Sequence, residues 1–279
     1  MKSRFYNDKR TSAAWDSLVN RFREEGLIQE YGGKKIRFPV YSTLRVAAVV
    51  IAVATISLFA IKNLREKGTE GITVQNRDLN TVFVTTLHDG SAVYLSGNAS
   101  ITYPRRFTED QREVTLNGDA YFQVEPDKEV PFVVNAGLIK VEVLGTSFRV
   151  GSVSGDRQSL AVESGRVMVT LLCSGLSTEI YAGEELLVTG ETMKKIPAFD
   201  PLQFELYTRR IYFRDEKLSD VVQIINRNIS GIIIEIDPSV RDRVLTATFC
   251  DNSPEAMAKL IALALELSVS IQGDVIKIY

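Results

Sequence analysis

Residues 46–61, VAAVVIAVATISLFAI, carry no charge and stand between Arg45 and Lys62. No other feature restricts the fold as strongly. A helix of this length covers roughly 24 Å, short of the ~30 Å hydrocarbon core of a bilayer. Leu44 and the snorkelling of Arg45 and Lys62 close most of the gap. Its many β-branched residues cost little in lipid, where every backbone group must bond within the segment. A core helix this uniformly apolar is uncommon outside a large domain. A cleaved signal peptide needs a short basic start and a small-residue cleavage site. Here about 45 residues precede the run, and LFAIKNLREKG offers no such site. The run is therefore read as an uncleaved signal anchor, a transmembrane helix over residues 45–62.

The flanking charges bias the orientation only slightly. Lys34, Lys35, Arg37 and Arg45 precede the run. Lys62, Arg65 and Lys67 follow it, offset by Glu66 and Glu70. The tail adds Lys2, Arg4, Lys9, Arg10, Arg21 and Arg23, which favours a cytoplasmic N-terminus with the bulk of the chain outside. Within that tail, Thr11 or Ser12 is placed to cap a helix that runs through Glu24 and Glu25 and ends at Gly26. Trp15, Leu18, Val19 and Phe22 then share one face. A tail of 44 residues builds no core of its own, so this stripe reads as a docking face. A helix lying on the membrane surface and a transiently folded segment are the alternatives.

Residues 72–200 alternate apolar and polar positions, with turn signals at short intervals. His88-Asp89-Gly90 separates VFVTTL from SAVYLS, and Asn117-Gly118 separates REVTL from DAYFQV; both suit tight hairpins. Further strands are expected over 131–134, 138–144, 147–150, 160–162, 166–172 and 185–188. Pro104 and Pro131 mark strand edges or starts, and Tyr121 and Phe122 point to opposite faces. Such a pattern indicates an all-β sandwich or solenoid. After residue 200 the pattern changes. Leu218, Val221, Val222, Ile225 and Ile229 make a helical stripe, and Gly231 introduces IIIEI. Residues 245–249 read as a strand. Ser253 and Pro254 start a second helix, running to about Leu267 and burying Met257, Leu260, Ile261 and Ala264. A hairpin across Gly273-Asp274 follows. The order β-α-β-β-α-β-β defines a small α+β domain.

Catalytic equipment is sparse. His88 is the only histidine and is read as a turn residue, with a pH-sensing or ligand role as the alternative. There is no Walker loop, G-x-S-x-G elbow, C-x-x-C or dinucleotide fingerprint. A net charge of -2 gives no basic field for direct nucleic-acid binding. Cys173 and Cys250 are expected as small buried apolar residues, with pairing as the alternative. No cofactor or metal site is expected, and no enzymatic activity.

The run L-H-D-G-S-A-V-Y-L-S-G-N-A-S-I-T-Y-P-R-R-F, residues 87–107, resembles the opening of the FecR domain. R-E-V-T-L-N-G-D-A-Y-F-Q-V, P-F-V-V and V-E-V-L-G-T-S-F-R-V follow in the family's order. The residues carrying the likeness include Asp89, Gly90, Ser91, Tyr103, Pro104, Gly118, Tyr121, Phe122, Pro131 and Phe132. Asp119 stands where the family often has Glu, and Arg149 where it often has Asn. Residues 212–222, S-P-E-A-M-A-K-L and the terminal V-I-K-I resemble, more loosely, the module that follows this domain in Bacteroidetes-like members. That module is itself similar to short N-terminal domains of secretins and TonB-dependent receptors. Where the family carries a Trp before the Y-F-x-D segment, this chain has Tyr207 or Ile211.

The resemblance implies an anti-sigma regulator of the bacterial inner membrane. Its cytoplasmic side would bind an extracytoplasmic-function sigma factor. Its periplasmic side would receive the signalling domain of a TonB-dependent outer-membrane receptor. The expected organisation is a cytoplasmic tail (1–44), a transmembrane helix (45–62), a linker (63–79), a FecR-like β domain (80–200) and an α+β receptor-interaction domain (201–279). The tail is shorter than in many relatives. Some relatives are cut at a Gly-Thr bond matching Gly145-Thr146; the other reading of that pair is a packed turn between strands. A membrane-anchored scaffold without sigma-factor activity is the first rival. A glycan-binding protein or glycosidase using Asp110, Glu113, Asp119 or Glu125 is the second.

Overall fold

A computed structural model of the chain describes residues 9–26, 71–152, 157–197 and 200–279. The apolar run at 45–62 lies outside these residues. Among the described residues, no helix is long and apolar enough to cross a membrane. The chain divides into two compact units, Met1–Arg65 and Glu66–Tyr279.

In the first unit, helix α1 spans Lys9–Glu24. Thr11 and Ser12, expected as caps, lie inside it, because the helix is already running at Lys9. Gly26, at φ +70°, terminates it, and its N–H donates to the Arg23 carbonyl at 3.3 Å. Arg21 and Arg23 fall in the last turn, where cations suit the negative end of the helix dipole. On the expected docking stripe, Leu18 is 43% and Phe22 38% exposed, with Val19 half-buried between them. Trp15 belongs to the helix, but its side chain lies outside the described residues.

The second unit is mainly β. One sheet has seven strands, in the order β1 (Gly71–Gln75), β4 (Ser100–Pro104), β5 (Arg112–Asn117), β7 (Phe132–Ala136), β8 (Ile139–Val143), β11 (Arg166–Leu171) and β12 (Ser177–Tyr181). A second sheet has nine. Its order is β14 (Thr192–Ile196), β13 (Glu185–Thr189), β10 (Arg157–Ser164), β9 (Ser147–Ser152), β6 (Ala120–Gln123), β3 (Ala92–Leu95), β2 (Val82–Thr86), β15 (Arg210–Lys217) and β17 (Val244–Cys250). From β7 onward the chain changes sheet every two strands. Alternation puts one set of side chains from each sheet into a shared core that includes Val93, Phe122, Phe148, Ile101, Phe132 and Val141. This is a sandwich.

The His88-Asp89-Gly90 turn closes a true hairpin, β2–β3, with Thr86 opposite Ala92. Asn117-Gly118 does not. The strands on either side of it, β5 and β6, belong to different sheets. Gly118 has φ +93°, and a Cβ there would lie 2.9 Å from the Ala99 Cα. Only glycine fits this tight corner, which carries the chain across the sandwich rather than back along it. Because β6 crosses over, β5 and β7 meet in parallel.

The remaining elements are α2 (Leu202–Glu205), α3 (Leu218–Asn228), β16 (Ile233–Ile236), α4 (Pro254–Ala264), β18 (Val269–Gln272) and β19 (Val275–Ile278). Together with β15 and β17 they give the expected β-α-β-β-α-β-β order. Strands β16, β19 and β18 form a separate three-stranded sheet. Pro254 occupies the first turn of α4, and the Ser253 hydroxyl accepts the Ala256 N–H at 3.3 Å. The buried face of α4 is Met257, Ala258, Ile261 and Ala262; Leu260 and Ala264, expected inside, face solvent. The expected break between residues 200 and 201 falls just before α2, yet β15 and β17 extend the nine-stranded sheet past it. Cys173 and Cys250, expected in the core, are both exposed and unpaired. Cys250 sits on the outward row of edge strand β17, and Cys173 in the β11–β12 turn.

Candidate functional site

Several motif residues converge on one that sequence reasoning did not single out, Arg112. It opens β5, and its guanidinium is turned inward. Nη1 donates to the Asp89 carboxylate at 2.8 Å and to the Glu125 carbonyl at 2.9 Å, and Nε donates to the Val130 carbonyl at 3.0 Å. The two charged side chains are only 5% and 13% exposed. The guanidinium lies 5.5 Å from the centre of the Phe132 ring, and the Arg112 N–H donates to the Pro131 carbonyl at 2.8 Å. Asp89 also accepts the N–H and hydroxyl of Ser91 at 3.1 and 2.7 Å. Ser91 Oγ in turn accepts the Glu125 N–H at 3.0 Å. Gly90, at φ +84°, makes the turn that sets Asp89 and Ser91 side by side. The signal for Arg112 was alternation in R-E-V-T-L, which puts it on the inward row with Val114 and Leu116, although its charge favours solvent. Tyr103, Pro104 and Gly118 take no part in this cluster: Tyr103 is in the sandwich core, Pro104 ends β4 opposite Gly71, and Gly118 makes the crossover.

Tyr121 and Phe122 point to opposite faces, as expected, and enter two different cores. Phe122 fills the sandwich. Tyr121, with Val84, Ala92, Tyr94 and Ala161, forms an apolar platform on the other face of the nine-stranded sheet, which the C-terminal elements cover. The Tyr121 ring lies 5.2 Å from Tyr94, 5.5 Å from Phe204 and 5.9 Å from Tyr207. The buried hydroxyls are satisfied by one another's neighbours. Tyr94 accepts from Asn228 at 2.7 Å and donates to Gln123 at 3.0 Å. Gln123 donates to Tyr121 and to Asn228, both at 3.1 Å. Tyr121 donates to Glu163 at 2.5 Å. Burial pushes both phenols well above the ordinary tyrosine range, with the adjoining Glu163 carboxylate adding to the effect at Tyr121. A cleft of about 690 Å³ opens beside them, lined by Gln123, Glu125, Glu163, Phe204, Arg227 and Asn228 among others.

Asp119, Arg149 and Tyr207 meet on this same face. Arg149 Nε donates to the Tyr207 hydroxyl at 3.1 Å, and its Nη2 reaches Asp119 at 3.4 Å. Arg149 also donates to Gln203 of α2 at 3.3 Å. Arg149 therefore links the sandwich to the C-terminal elements.

The Gly145–Thr146 pair forms the corner before β9. Gly145 has φ +146°, and a Cβ there would sit 2.6 Å from the Pro126 Cα. Thr146 is 3% exposed, and its hydroxyl donates to the Arg166 carbonyl at 3.1 Å. These contacts account for both residue types by packing.

The junction also contains a short parallel pairing of β15 with β2, Ile211 to Val82 and Tyr212 to Phe83. A bulge between Phe213 and Glu216, with Asp215 at φ +55°, then turns Glu216 toward Thr85 and Thr86. Burial raises the Glu216 carboxyl above its usual range, and Asp220 and Asp215 push the same way against the Thr85 hydrogen bond.

Among the described residues, no three His, Cys, Asp or Glu side chains converge to hold a metal ion. Three of the four carboxylates proposed for glycan chemistry are tied into the fold, and Asp110 is exposed. Glu113 accepts from Gln111 at 2.8 Å and Asn135 at 2.6 Å, and Asp119 and Glu125 are ion-paired. The polar groups of the clusters face one another and join separate elements of the fold. The second unit is thus a β-sandwich carrying an α+β module on the outer face of one sheet. Residues 82–168 match the model of the FecR protein family, and over this stretch the chain is FecR-like. No curated relative matches the chain. Two crystal structures of a candidate anti-sigma factor from Parabacteroides distasonis ATCC 8503 are similar to it, at 24% identity, over 75% of this chain and 98% of that one, with a TM-score of 0.46.

Two predictions follow from the clusters. Arg112→Met leaves Asp89 unpaired in a mostly buried setting and lowers stability on the order of 3–5 kcal/mol, read from denaturant midpoints; the double change with Asp89→Asn recovers part of that loss. Glu216 has a raised folded pKa, so its contribution is complete below the ordinary carboxylate range and is lost as pH rises through the folded value. Glu216→Gln therefore melts higher than the parent at neutral pH. The gap closes on acidification, as melts from about pH 4 to about pH 8 would show.

Proposed function

We propose that this protein is a membrane-anchored anti-sigma regulator. In this reading the N-terminal tail lies in the cytoplasm, residues 45–62 cross the inner membrane, and the β domain (80–200) and α+β domain (201–279) are periplasmic. The observation that carries the reading is the family match over residues 82–168, which covers most of the Arg112 cluster, including Asp89, Ser91, Arg112 and Phe132. The tail binds an extracytoplasmic-function sigma factor through Trp15, Leu18, Val19 and Phe22. The exposure of Leu18 and Phe22 on α1 supports a docking role. The C-terminal module receives the signalling domain of a TonB-dependent receptor. Leu263, 79% exposed on α4, and the exposed Ile271 and Val244 are apolar contacts such a partner would cover. The work is regulatory and needs no cofactor.

Cross-linked pull-down of the tagged full-length protein from native membranes tests this. A sigma factor and a TonB-dependent receptor are expected together. Changing Trp15 and Phe22 to Ala should remove the sigma factor roughly tenfold or more, as loss of two aromatic anchors does, and leave the receptor bound. Equal recovery of the sigma factor from that variant would refute the docking helix. Recovery of the outer-membrane partner alone from the parent would favour the scaffold.

Self-cleavage at Gly145–Thr146 belongs to the same proposal. Thr146 Oγ would attack the Gly145 carbonyl carbon, exchanging the amide for an ester and freeing the Thr146 amine; water would then split the ester. A fragment beginning at Thr146, absent in Thr146→Ala, is the expected result. An intact chain throughout would assign the corner to packing alone.

A further inference from the structure

The segment between β6 and β7, residues 124–131, is held from two directions. On one side it covers the Gly145–Thr146 corner. The Val124 N–H donates to the Thr146 carbonyl at 3.1 Å, and the Asp127 N–H to the Leu144 carbonyl at 2.8 Å. Pro126 packs so closely that only a glycine fits at 145. On the other side it is held by the C-terminal module. Arg227, in the last turn of α3, donates through Nη2 to the Glu125 carboxylate. Its Nη1 donates to the Gly90 carbonyl at 3.3 Å. Pro126 and Pro131 lack N–H groups, so the segment has no unbroken ladder to fix it. Isolated backbone bonds and side chains hold it together.

We propose that Arg227 is a latch through which helix α3 controls the 124–131 strap, and with it access to the Gly145–Thr146 corner. One guanidinium makes both contacts, so a small displacement of α3 breaks them together. The strap would then keep the Glu125 backbone contacts to Ser91 Oγ and Arg112. It would lose the side-chain anchor nearest Pro126. The two N–H bonds over the corner open more often as a result. Motion of the module on its platform is thereby converted into exposure of a corner that belongs to the sandwich. The latch requires neither an identified partner nor cleavage of the bond.

Hydrogen exchange of the full-length protein, read by mass spectrometry, tests the latch. In Arg227→Ala, peptides covering residues 124–131 and 144–147 should exchange roughly three- to tenfold faster, the scale of a half-exposed ion pair with a second hydrogen bond. Peptides over β11 and β12 should be unchanged. Glu125→Gln should give the same pattern, and keeps the test available if Arg227→Ala fails to fold. The double variant should add little, since both changes break one contact. Unchanged exchange over the strap overturns the latch. A uniform rise through Glu66–Tyr279 also overturns it, because Arg227 would then stabilise the fold without directing the strap.

Discussion

Burial of the central strands β3 and β6 on both faces of the nine-stranded sheet is the constraint on which the rest of the second unit depends. Strand β6 shows it at two adjacent residues. Phe122 stacks on Phe148 at 5.1 Å inside the sandwich, while Tyr121 faces the platform beneath α2 and α3. Strands β3 and β6 are accordingly apolar at nearly every position, unlike β5, which is buried only at alternate residues. Apolar burial supplies the non-directional attraction. The tyrosine hydroxyls supply direction, because a buried phenol needs a partner and the module brings one in Asn228.

Two polar clusters organise the surroundings of that sheet. Arg112 ties the β2–β3 turn to β5 and to the strap before β7, holding three chain segments with one guanidinium. Buried ion pairs of this kind add little net stability over apolar packing, but they penalise every arrangement that separates the charges. Arg149 works across the junction, linking β9 to Asp119 and to α2. Arg227 extends the same logic from α3. The three arginines connect module, turn and strap by side chains.

The family match and the geometry meet at the motif residues. Asp89, Ser91, Pro131 and Phe132 are scattered over more than forty positions in the chain, yet surround one arginine. The D-G-S and P-F motifs therefore record a folded cluster and not a catalytic site. The cluster supports the strap that packs on the Gly145–Thr146 corner.

Much of this was legible in the chain itself. Alternation marked most of the strands, Ser253-Pro254 placed the start of α4, Gly90 placed the β2–β3 hairpin, and successive residues put Tyr121 and Phe122 on opposite faces. These are local properties, set by backbone sterics and side-chain periodicity. Edge strands such as β12 and β14 escaped notice because their exposed residues need no apolar alternation. Asn117-Gly118 signalled a sharp turn, but a turn residue specifies φ and not which strand becomes the neighbour. Cys250 and Leu260 were misplaced because a small or apolar residue has no fixed side until packing chooses one. The pairing of Arg112 with Asp89, the convergence of Asp119, Arg149 and Tyr207, and the reach of Arg227 to Glu125 join residues distant along the chain. Only the tertiary structure decides these, because each depends on which surfaces are desolvated together.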